Sequence, residues 1–365
     1  MAQIRLENIK KNFGDFVAVE NTNMTIEDGE FFVLLGSSGC GKTTTLRMIA
    51  GLEMPTEGKM MLDNENVTHL RPALRDIAFV FQLFALYPHM NVYKNLAFPL
   101  KARGVPTAEI KKKVNDVASL LRIDHLLHAS IKGLSGGDRQ RVALGRAIIR
   151  RPKAFLMDEP IGTLDAEFRE LMRTELRGLH DRIDATTVYV THDQIEAMSM
   201  GDRISVMSHG KVLQVAPPME IYNKPKTMFV AEFIGSPAIN FLQFQGPVAP
   251  GDNQVKVNGT LIDIPRLHEG LEHSEGVIGA RPEHIGISDR NGLPGKVFGV
   301  EDMGARKLVT VDTHVGRIRV MAPNTTPVRV EDNVHLTFKT EAMILFDAKT
   351  ENALKSELIK ETANG

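Results

Sequence analysis

The sequence predicts an α/β domain over residues 1–235, followed by a small all-β domain over residues 236–365. Three observations support this fold class. An apolar run at residues 31–35 is followed by a glycine-rich loop and a helical pattern. Further short apolar runs downstream end in polar residues, as the strands of an open parallel sheet do at a binding edge. Beyond Gly235-Ser236-Pro237, only short strand patterns separated by turn residues remain.

Composition limits the setting and the partners. The chain has 365 residues, which fits two domains, and its 44 basic and 45 acidic residues give a formal net charge of −1. No overall field therefore attracts it to nucleic acid or anionic lipid. The single cysteine, Cys40, and the lack of a charged-then-apolar leader favour a reducing, cytosolic setting. Because no apolar stretch approaches the roughly 18 residues of a membrane span, we expect a soluble chain or one held at a membrane by a partner.

The glycine-rich loop has the pattern G-x-x-x-x-G-K-[ST]. Its glycines allow a tight turn with several backbone N–H groups pointing inward, and the helix that begins near Lys42 adds its positive dipole end. Lys42 would reach the β- and γ-phosphates of a nucleotide, and the Thr43 hydroxyl would ligate Mg²⁺. A chance glycine turn before a helix is the alternative. The predicted phosphate-binding residues are Gly36, Ser37, Ser38, Gly39, Cys40, Gly41, Lys42, Thr43 and Thr44.

Short strand patterns before this loop predict an antiparallel sheet edge laid over the nucleotide. They lie at residues 3–9, 16–19 and 24–26. Phe13, in a connecting loop, is a candidate to stack on a nucleotide base. Ordinary loop packing explains this aromatic equally well.

Polar side chains follow three predicted buried strands. They are Gln82, the adjacent acids Asp158 and Glu159, and His192. Because carboxyl ends of parallel strands meet at one edge, we expect these groups beside the phosphate loop. Asp158 and Gln82 would contribute to a Mg²⁺ shell, and Glu159 would orient or deprotonate an attacking water. A solvated turn is the alternative for the acids, and a structural histidine is the alternative for His192.

Two further stretches of the first domain suggest binding surfaces. Residues 83–99 are rich in apolar and aromatic groups and are interrupted by Pro88-His89, which predicts an apolar surface loop and a docking face. Residues 107–127 predict an amphipathic helix with a solvated lysine face. A second anion-binding helix terminus is predicted at Ser135, Gly136 and Gly137, immediately before another helical run.

After residue 202 the sequence pattern changes from alternating strands and helices to mostly short strands. Residues 203–207 and 211–215 predict a hairpin, and residues 220–233 predict a closing helical stretch. Asn258-Gly259 is the strongest short hairpin pattern in the chain. The remaining predicted strands are residues 277–281, 296–300, 307–311, 317–320 and 335–338. Together they predict a small barrel-like module.

Cys40 lies inside the phosphate loop, next to the N-terminus of the following helix. A helix N-terminus lowers the pKa of a thiol. We therefore expect a reactive thiol that a bound nucleotide protects from alkylation. An inert, covered thiol is the alternative.

These motifs, in this order, resemble the ATP-binding cassette (ABC) family over nearly the whole chain. The resemblance makes Phe13 the base-stacking aromatic, residues 36–43 the Walker A loop, Gln82 the Q-loop residue, residues 134–138 the signature, Asp158 and Glu159 Walker B, residues 164–165 the D-loop and His192 the switch histidine. It implies ATP and Mg²⁺ as cofactors and a P-loop NTPase fold with a helical subdomain at about residues 88–152. In this family two cassettes sandwich ATP head to tail. Ser135 and Gly137 of one subunit would then grip the γ-phosphate bound by Lys42 of the other.

Four stretches are similar to the carbohydrate-importer branch, which includes the maltose and glycerol-phosphate importer ATPases. They are residues 79–98, 189–198, 233–237 and 281–284. The resemblance implies an OB-like regulatory domain at the C-terminal end and a peripheral ATPase on the cytoplasmic face of the inner membrane. Its expected partners are two transmembrane permease subunits, a second ATPase subunit and, indirectly, an extracytoplasmic solute-binding protein. The expected function is ATP-driven uptake of a carbohydrate or polyol, with no nucleic-acid partner.

Two positions depart from the family pattern. The usual final glutamine of the signature is Asp138, and Gly162-Thr163 replaces the usual Ser-Asn or Ser-Ala before Leu164. A carboxylate near the γ-phosphate should weaken closure of the sandwich, unless Asp138 caps its helix. Pairing with a second, non-identical ATPase would relieve half of that strain, so both a homodimer and a mixed pair stay open.

Two other function classes compete with the importer. A soluble ABC ATPase that acts on DNA or ribosomes, or an importer ATPase for another solute class, would share the same nucleotide motifs. The soluble class usually has a long coiled-coil insertion or two cassettes in one chain, and the sequence contains neither. A module that only binds or regulates is disfavoured by the complete set Lys42, Asp158, Glu159 and His192.

Overall fold

The computed structural model describes residues 2–162, 164–183, 185–271 and 275–359. By contact, the chain divides into two compact units, Met1–Pro218 and Met219–Gly365. Residues 219–235 thus group with the second unit, whereas the sequence predicts a boundary after residue 235. No helix in the described part of the chain has both the length and the apolar character that a bilayer crossing requires.

The first unit contains ten strands and six helices among the described residues. Its strands are β1 (Ile4–Phe13), β2 (Phe16–Ile26), β3 (Phe31–Gly36), β4 (Glu57–Leu62), β5 (Glu65–Asn66), β6 (Ile77–Val80), β7 (Ala154–Asp158), β8 (Thr186–Thr191), β9 (Arg203–Ser208) and β10 (Lys211–Ala216). Its helices are α1 (Lys42–Ala50), α2 (Val92–Ala102), α3 (Thr107–Leu120), α4 (Gly136–Ile148), α5 (Ala166–Ile183) and α6 (Gln194–Met200).

A six-stranded sheet in the order β10-β9-β3-β8-β7-β6 forms the centre of this unit. Neighbouring strands from β9 to β6 run parallel, and β10 pairs antiparallel with β9. Every residue of β3 and of β8 is buried. Such uninterrupted burial is typical of strands covered on both faces, and it explains why β3 is entirely apolar. In β8 the buried Thr186 and Thr187 hydroxyls donate hydrogen bonds to the carbonyl oxygens of Ala2 and Ala185.

A second, antiparallel sheet in the order β2-β1-β4-β5 lies in the same unit. It confirms the antiparallel sheet predicted near the start of the chain. The two sheets share one core, which includes Leu6, Ile26, Phe32 and Leu156.

The helical segment differs from the sequence prediction in two places. The helix predicted over residues 107–127 ends at Leu120, and Arg122 follows with φ 56°, which no helix accommodates. Residues 92–99, part of the segment predicted to form an apolar surface loop, belong to helix α2, which continues to Ala102. The Asn91 side chain accepts a hydrogen bond from the Lys94 N–H and so begins this helix.

The second unit is mostly β-structure. Its elements are α7 (Pro218–Asn223), α8 (Met228–Phe233), β11 (Asn240–Gln245), β12 (Gln254–Val257), β13 (Thr260–Asp263), β14 (Glu275–Ala280), β15 (Ile285–Ser288), β16 (Leu293–Asp302), β17 (Arg306–Thr313), β18 (Gly316–Pro323), β19 (Asn333–Phe338) and β20 (Ile344–Asp347). The sheets are β11-β14-β20, the hairpin β12-β13 and β15-β19-β16-β17-β18. They confirm the predicted all-β module and the hairpin at Asn258-Gly259.

The closing helical stretch predicted over residues 220–233 is two short helices. Helix α7 ends at Asn223, and Pro225 follows, where the missing N–H and fixed ring do not continue a helix. Thr227 then caps α8 by accepting the Val230 N–H. The core of this unit includes Val257, Val297 and Leu336, each with none of its surface exposed.

Candidate active site

Four neighbouring parallel strands bring the predicted polar groups to one edge of the six-stranded sheet. Strand β3 leads into the glycine-rich loop, and β7 ends at Asp158. His192 directly follows β8, and Gln82 lies two residues beyond β6. Since β3, β8, β7 and β6 are consecutive in the sheet and run parallel, their carboxyl ends meet.

The glycine-rich loop forms a compact turn before α1. Gly41 caps this helix with φ 105°, and a Cβ built there would lie 2.5 Å from the Ala18 carbonyl oxygen. Only glycine suits this position. The Lys42 side chain is buried, and its Nζ donates hydrogen bonds of 2.8 Å to the carbonyl oxygens of both Gly36 and Ser37. The ammonium group is thereby held within the turn.

The loop is open on its outer side. Residues Ser37, Ser38 and Gly39 are exposed, and a Cβ built at Gly39 would meet no atom within 4 Å. Thr43 and Thr44 follow in the first turn of α1 and are half-buried. The geometry leaves room for an anion at the N-terminus of α1.

Thr43 and Asp158 form the first polar pair of the site. The Thr43 hydroxyl donates a 2.9 Å hydrogen bond to Asp158 Oδ1. Burial raises the pKa of the Asp158 carboxyl, while this hydrogen bond acts in the opposite direction. Hydroxyl and carboxylate oxygens suit Mg²⁺. The described residues contain no cluster of three His, Cys, Asp or Glu side chains placed for a metal, so a cation here would also need oxygens from a nucleotide.

Glu159 is the centre of the second polar group. Its Oε1 lies 3.1 Å from His192 Nδ1 and its Oε2 lies 3.5 Å from Gln82 Nε2, at the limit of a hydrogen bond. Because a carboxylate only accepts, the histidine ring donates from Nδ1. The Glu159 backbone has φ 44°, a strained conformation for a non-glycine residue. The structure thus aims this carboxylate along the sheet edge, next to the Asp158 pair.

The signature segment begins α4. Ser135 is the N-cap residue: its oxygen accepts the Asp138 N–H at 3.1 Å, and its hydroxyl donates to Asp138 Oδ2 at 2.7 Å. The first bond is that of a capping box, but the Asp138 carboxylate accepts the serine hydroxyl in place of the serine backbone N–H. Gly136 begins the helix, and a Cβ at Gly137 would overlap the Phe168 ring at 1.8 Å. Close packing of α4 on α5 therefore requires glycine there.

Phe13 ends strand β1 with 48% of its surface exposed. Its ring lies 4.7 Å from Lys11 Nζ, a cation–π distance. An exposed aromatic face is what base stacking needs, and the structure leaves the prediction for Phe13 open.

Comparisons with known proteins identify the family. A family model described as ABC transporter matches residues 19–162, and one described as TOBE domain matches residues 278–346. The chain is 44% identical to a trehalose/maltose import ATP-binding protein of Thermococcus litoralis, covering 97% of this chain and 100% of that protein. The chain belongs to the ABC transporter family. As an ABC ATP-binding protein it binds ATP and hydrolyses it, which confirms the predicted enzyme class.

Two further relatives carry importer names. An sn-glycerol-3-phosphate import ATP-binding protein of Psychromonas ingrahamii is 43% identical over 98% of this chain and 97% of its own length. An ATP-binding protein for uptake of osmoprotective compounds from Synechocystis is 44% identical over 97% of this chain and all of its own length. The predicted importer-ATPase branch is thereby confirmed.

Solved structures agree on the fold of the cassette. One is a dimeric ATP-binding cassette in a post-hydrolysis state bound to ADP and Pi, with TM-score 0.53 and 31% identity, covering 59% of this chain and 98% of that one. Another, from Clostridium perfringens, is part of an ABC transporter complex, with TM-score 0.57 and 28% identity, covering 60% of this chain and 89% of that one. With the TOBE match, they confirm the predicted cassette followed by an OB-like domain.

The expectation for the Cys40 thiol of this ABC ATPase is wrong in its direction. The thiol is buried, with 3% of the residue exposed, and burial raises its pKa. Lys42 Nζ, 3.9 Å from Sγ, opposes the shift but does not reverse it. The low-dielectric surroundings therefore outweigh the helix terminus.

Sequence reasoning missed two arginines of the site region. Arg146 on α4 donates to the carbonyl oxygens of Phe84 at 3.1 Å and Ala85 at 2.7 Å, in the segment after Gln82. Both residues have positive φ, of 62° and 45°, so one side chain fixes a strained turn to the signature helix.

Arg169 on α5 is the second. Its guanidinium donates to the Leu164 carbonyl oxygen at 3.1 Å and lies 3.6 Å from an Asp193 carboxylate oxygen. It thus ties the D-loop to the residue after His192. Local sequence patterns do not reveal such contacts because the partners are separated along the chain.

Proposed function

We propose that this chain is the ATPase subunit of an importer for a carbohydrate or polyol, such as a sugar, glycerol or glycerol phosphate. The relatives named above support the class: their names give trehalose/maltose, sn-glycerol-3-phosphate and osmoprotective compounds. Their identities to this chain, 43% to 44%, are too close to favour one solute over another.

The convergence of Thr43, Asp158, Glu159 and His192 at one sheet edge carries the mechanistic part of the proposal. In our assignment the backbone of the glycine-rich loop and Lys42 bind the β- and γ-phosphates. Thr43, Asp158 and Gln82 hold Mg²⁺, which when bound neutralises phosphate charge.

Glu159 accepts a proton from, or orients, the attacking water. His192, through Nδ1, keeps the Glu159 carboxylate facing that water and fixes its rotamer. Phe13 stacks on the adenine base. Ser135, Gly136 and Gly137 belong to the other half of the site, across a cassette dimer.

The partners follow from the same proposal. Two cassettes pair head to tail, whether identical or not, and the pair lies under two transmembrane permease subunits at the cytoplasmic face of the inner membrane. A solute-binding protein outside the membrane supplies the permeases. The apolar segment after Gln82 supports this arrangement, because Leu83 is 80% exposed and Phe98 is 38% exposed.

Glu159→Gln tests the catalytic assignment. We expect turnover to fall by at least about 100-fold while Mg-ATP binding remains, since the amide cannot act as a base but leaves the phosphate contacts intact. Single-turnover hydrolysis and equilibrium binding of ATP measure the two quantities. Glu167→Gln, an exposed acid in the first turn of α5, is the matched control. An unchanged turnover rate in Glu159→Gln would contradict the role of this residue.

Copurification tests the partner assignment. A tagged full-length chain, extracted from its native membrane in mild detergent, should bring two permease subunits with it, and intact mass should count the distinct cassette chains. ATPase activity of that complex, reconstituted with candidate solutes and their binding protein, identifies the solute. Recovery of nucleic acid or ribosomes instead would favour the soluble class of ABC ATPases.

A further inference from the structure

A polar chain of four residues runs from the signature serine to α5. The exposed Ser135 hydroxyl donates to Asp138 Oδ2 at 2.7 Å. Arg141 Nη1 lies 3.8 Å from Asp138 Oδ1. The same guanidinium binds Glu175 with two hydrogen bonds of 3.1 Å and 3.0 Å. Because α5 fixes the arginine through a bidentate pair, the arginine in turn orients the Asp138 carboxylate.

These hydrogen bonds affect how Ser135 can bind a phosphate, because a hydroxyl has only one proton to donate. Ser135 has one proton, and an ionised carboxylate has none to offer in exchange. While that proton is donated to Asp138, only the oxygen lone pairs of Ser135 can face outward, and one of these already accepts the Asp138 N–H at 3.1 Å. Lone pairs repel a phosphate oxygen, whereas a released O–H would bind it.

We propose that Asp138 is a positioning residue that restrains closure of the ATP sandwich by competing with the γ-phosphate for the Ser135 proton. The inference rests on the proposed function, in which Ser135 contacts the phosphate bound by the opposing cassette. Arg141 partly neutralises the carboxylate and holds it against Ser135. Closure then requires the Ser135 proton to leave the Asp138 carboxylate for a phosphate oxygen. Each Ser135–phosphate contact therefore contributes less free energy to dimerisation than it would with a neutral side chain at position 138.

Asp138→Asn isolates this competition. The amide has nearly the shape of the carboxylate, but its Nδ2 can donate to the Ser135 oxygen and so releases the serine proton. We place it in the Glu159→Gln background of the full-length chain, where hydrolysis does not consume the ATP. Sedimentation velocity over a Mg-ATP titration then gives the ATP concentration at which half of the chain is dimeric. We expect Asp138→Asn to lower this concentration roughly tenfold, the scale of one charge-assisted hydrogen bond.

A double-mutant cycle separates this mechanism from simple charge removal or helix stabilisation. With Ser135→Ala, the Asp138→Asn substitution should no longer shift the midpoint, because no proton remains to be released. Ser135→Gly is the second variant, since glycine is tolerated at a helix N-cap. Asp181→Asn, on the exposed face of α5 in an ion pair with Arg177, removes one negative charge and should leave the midpoint unchanged.

Three results overturn the inference. The first is a midpoint that Asp138→Asn leaves unmoved or raises when Ser135 is present. The second is the same shift in Ser135→Ala and Ser135→Gly. The third is an equal shift caused by Asp181→Asn. These outcomes leave the proposed function intact, provided that Glu159→Gln alone dimerises with ATP. If the Glu159→Gln chain stays monomeric at saturating Mg-ATP, the homodimeric sandwich fails and this inference fails with it.

Discussion

The Cys40 thiol is packed within the phosphate loop, and its raised pKa has a direct chemical consequence. A thiol alkylates through its thiolate, so the folded chain should react at least about tenfold more slowly than the urea-unfolded chain at pH 7. The rate in the folded chain should rise between pH 7 and pH 9, with little effect of ATP. Mass-spectrometric counting of iodoacetamide adducts over time measures this. Rapid labelling at pH 7 that ATP blocks would contradict the burial argument.

The site residues show what a sequence reveals at this scale. The sequence predicted which residues meet at the sheet edge, namely Lys42, Thr43, Asp158 and Glu159. The residue types and spacing of each motif indicate what it can bind, and parallel strands bring their carboxyl ends together. The direction of the Cys40 pKa was not predictable from its neighbours. A Cβ built at Gly36 would lie 2.6 Å from Cys40 Sγ and 2.3 Å from the Met207 carbonyl oxygen, so the thiol is enclosed by a strand more than 160 residues away in the sequence.

Helix α5 packs the His180 ring against the central sheet. His180 Nδ1 lies 3.0 Å from Thr187 Oγ1, and its ring meets Phe31 edge to face, with centroids 5.1 Å apart. Burial lowers the pKa of His180, and the positive charge of Arg177 adds to the effect. As the pH falls below about 6.5, the ordinary pKa of histidine in an unfolded chain, the unfolded chain binds a proton at this ring more readily than the folded chain does. The stability associated with this ring is therefore present above that pH and is lost as the pH falls.

We expect this loss to be measurable in the first unit. Between pH 7 and pH 5.5, the free energy of unfolding of the wild type should fall more steeply than that of His180→Asn, by up to about 1 kcal/mol per pH unit. Asparagine can still approach Thr187 but does not titrate. Urea titrations at each pH give the two slopes, and His89→Asn, at an exposed position, is the control. Parallel curves for wild type and His180→Asn would show that the ring protonates freely in the fold.

Helix α2 illustrates why some elements were missed. The loop prediction for this segment rested on Pro88-His89, which lies just before the helix, and Pro99 lies inside the helix. The Asn91 cap and buried contacts such as Leu96 outweigh that pattern. Tertiary packing commonly overrides local propensity in this way.

The second unit is defined by contacts that cross the predicted boundary. The buried Arg281 guanidinium donates to the carbonyl oxygens of Tyr222, at 2.6 Å and 3.2 Å, and of Ile234, at 2.6 Å. It also lies 3.6 Å from the centroid of the Tyr222 ring. Ala231 of α8 packs with Ile239 and Phe346 in one apolar cluster. Removing residues 219–235 would take away these hydrogen bonds and the stacked ring, and would uncover part of the apolar cluster.

Two fragments test the boundary at the scale of the whole molecule. We expect residues 219–365 to fold alone, with cooperative thermal unfolding, because they contain their own core. Residues 236–365 should be less stable by at least about 3 kcal/mol, the scale of several lost hydrogen bonds to a charged group together with uncovered apolar surface. Circular dichroism during urea unfolding compares them. Equal stability would support the boundary after residue 235 instead.

The molecule-wide arrangement was predictable only in outline. Alternating strands and helices indicated a parallel sheet, and short strands after residue 235 indicated a β-module. The strand order β10-β9-β3-β8-β7-β6 was not predictable, because local periodicity does not state which strands become neighbours. Strands β11, β15 and β20 were also missed, being short runs without a turn pattern between them and a partner.

The left-handed backbone of Glu159 has an evolutionary consequence. At φ 44°, any residue with a Cβ is less stable than glycine by about 1 kcal/mol. Mutational drift under selection for stability alone would therefore favour replacing this glutamate, and the replacement would erase the carboxylate at the sheet edge. If ATP turnover were not needed, a substitution at this position would give a more stable but inactive protein. The presence of a glutamate here is therefore what selection for the turnover proposed above, rather than for stability alone, would favour.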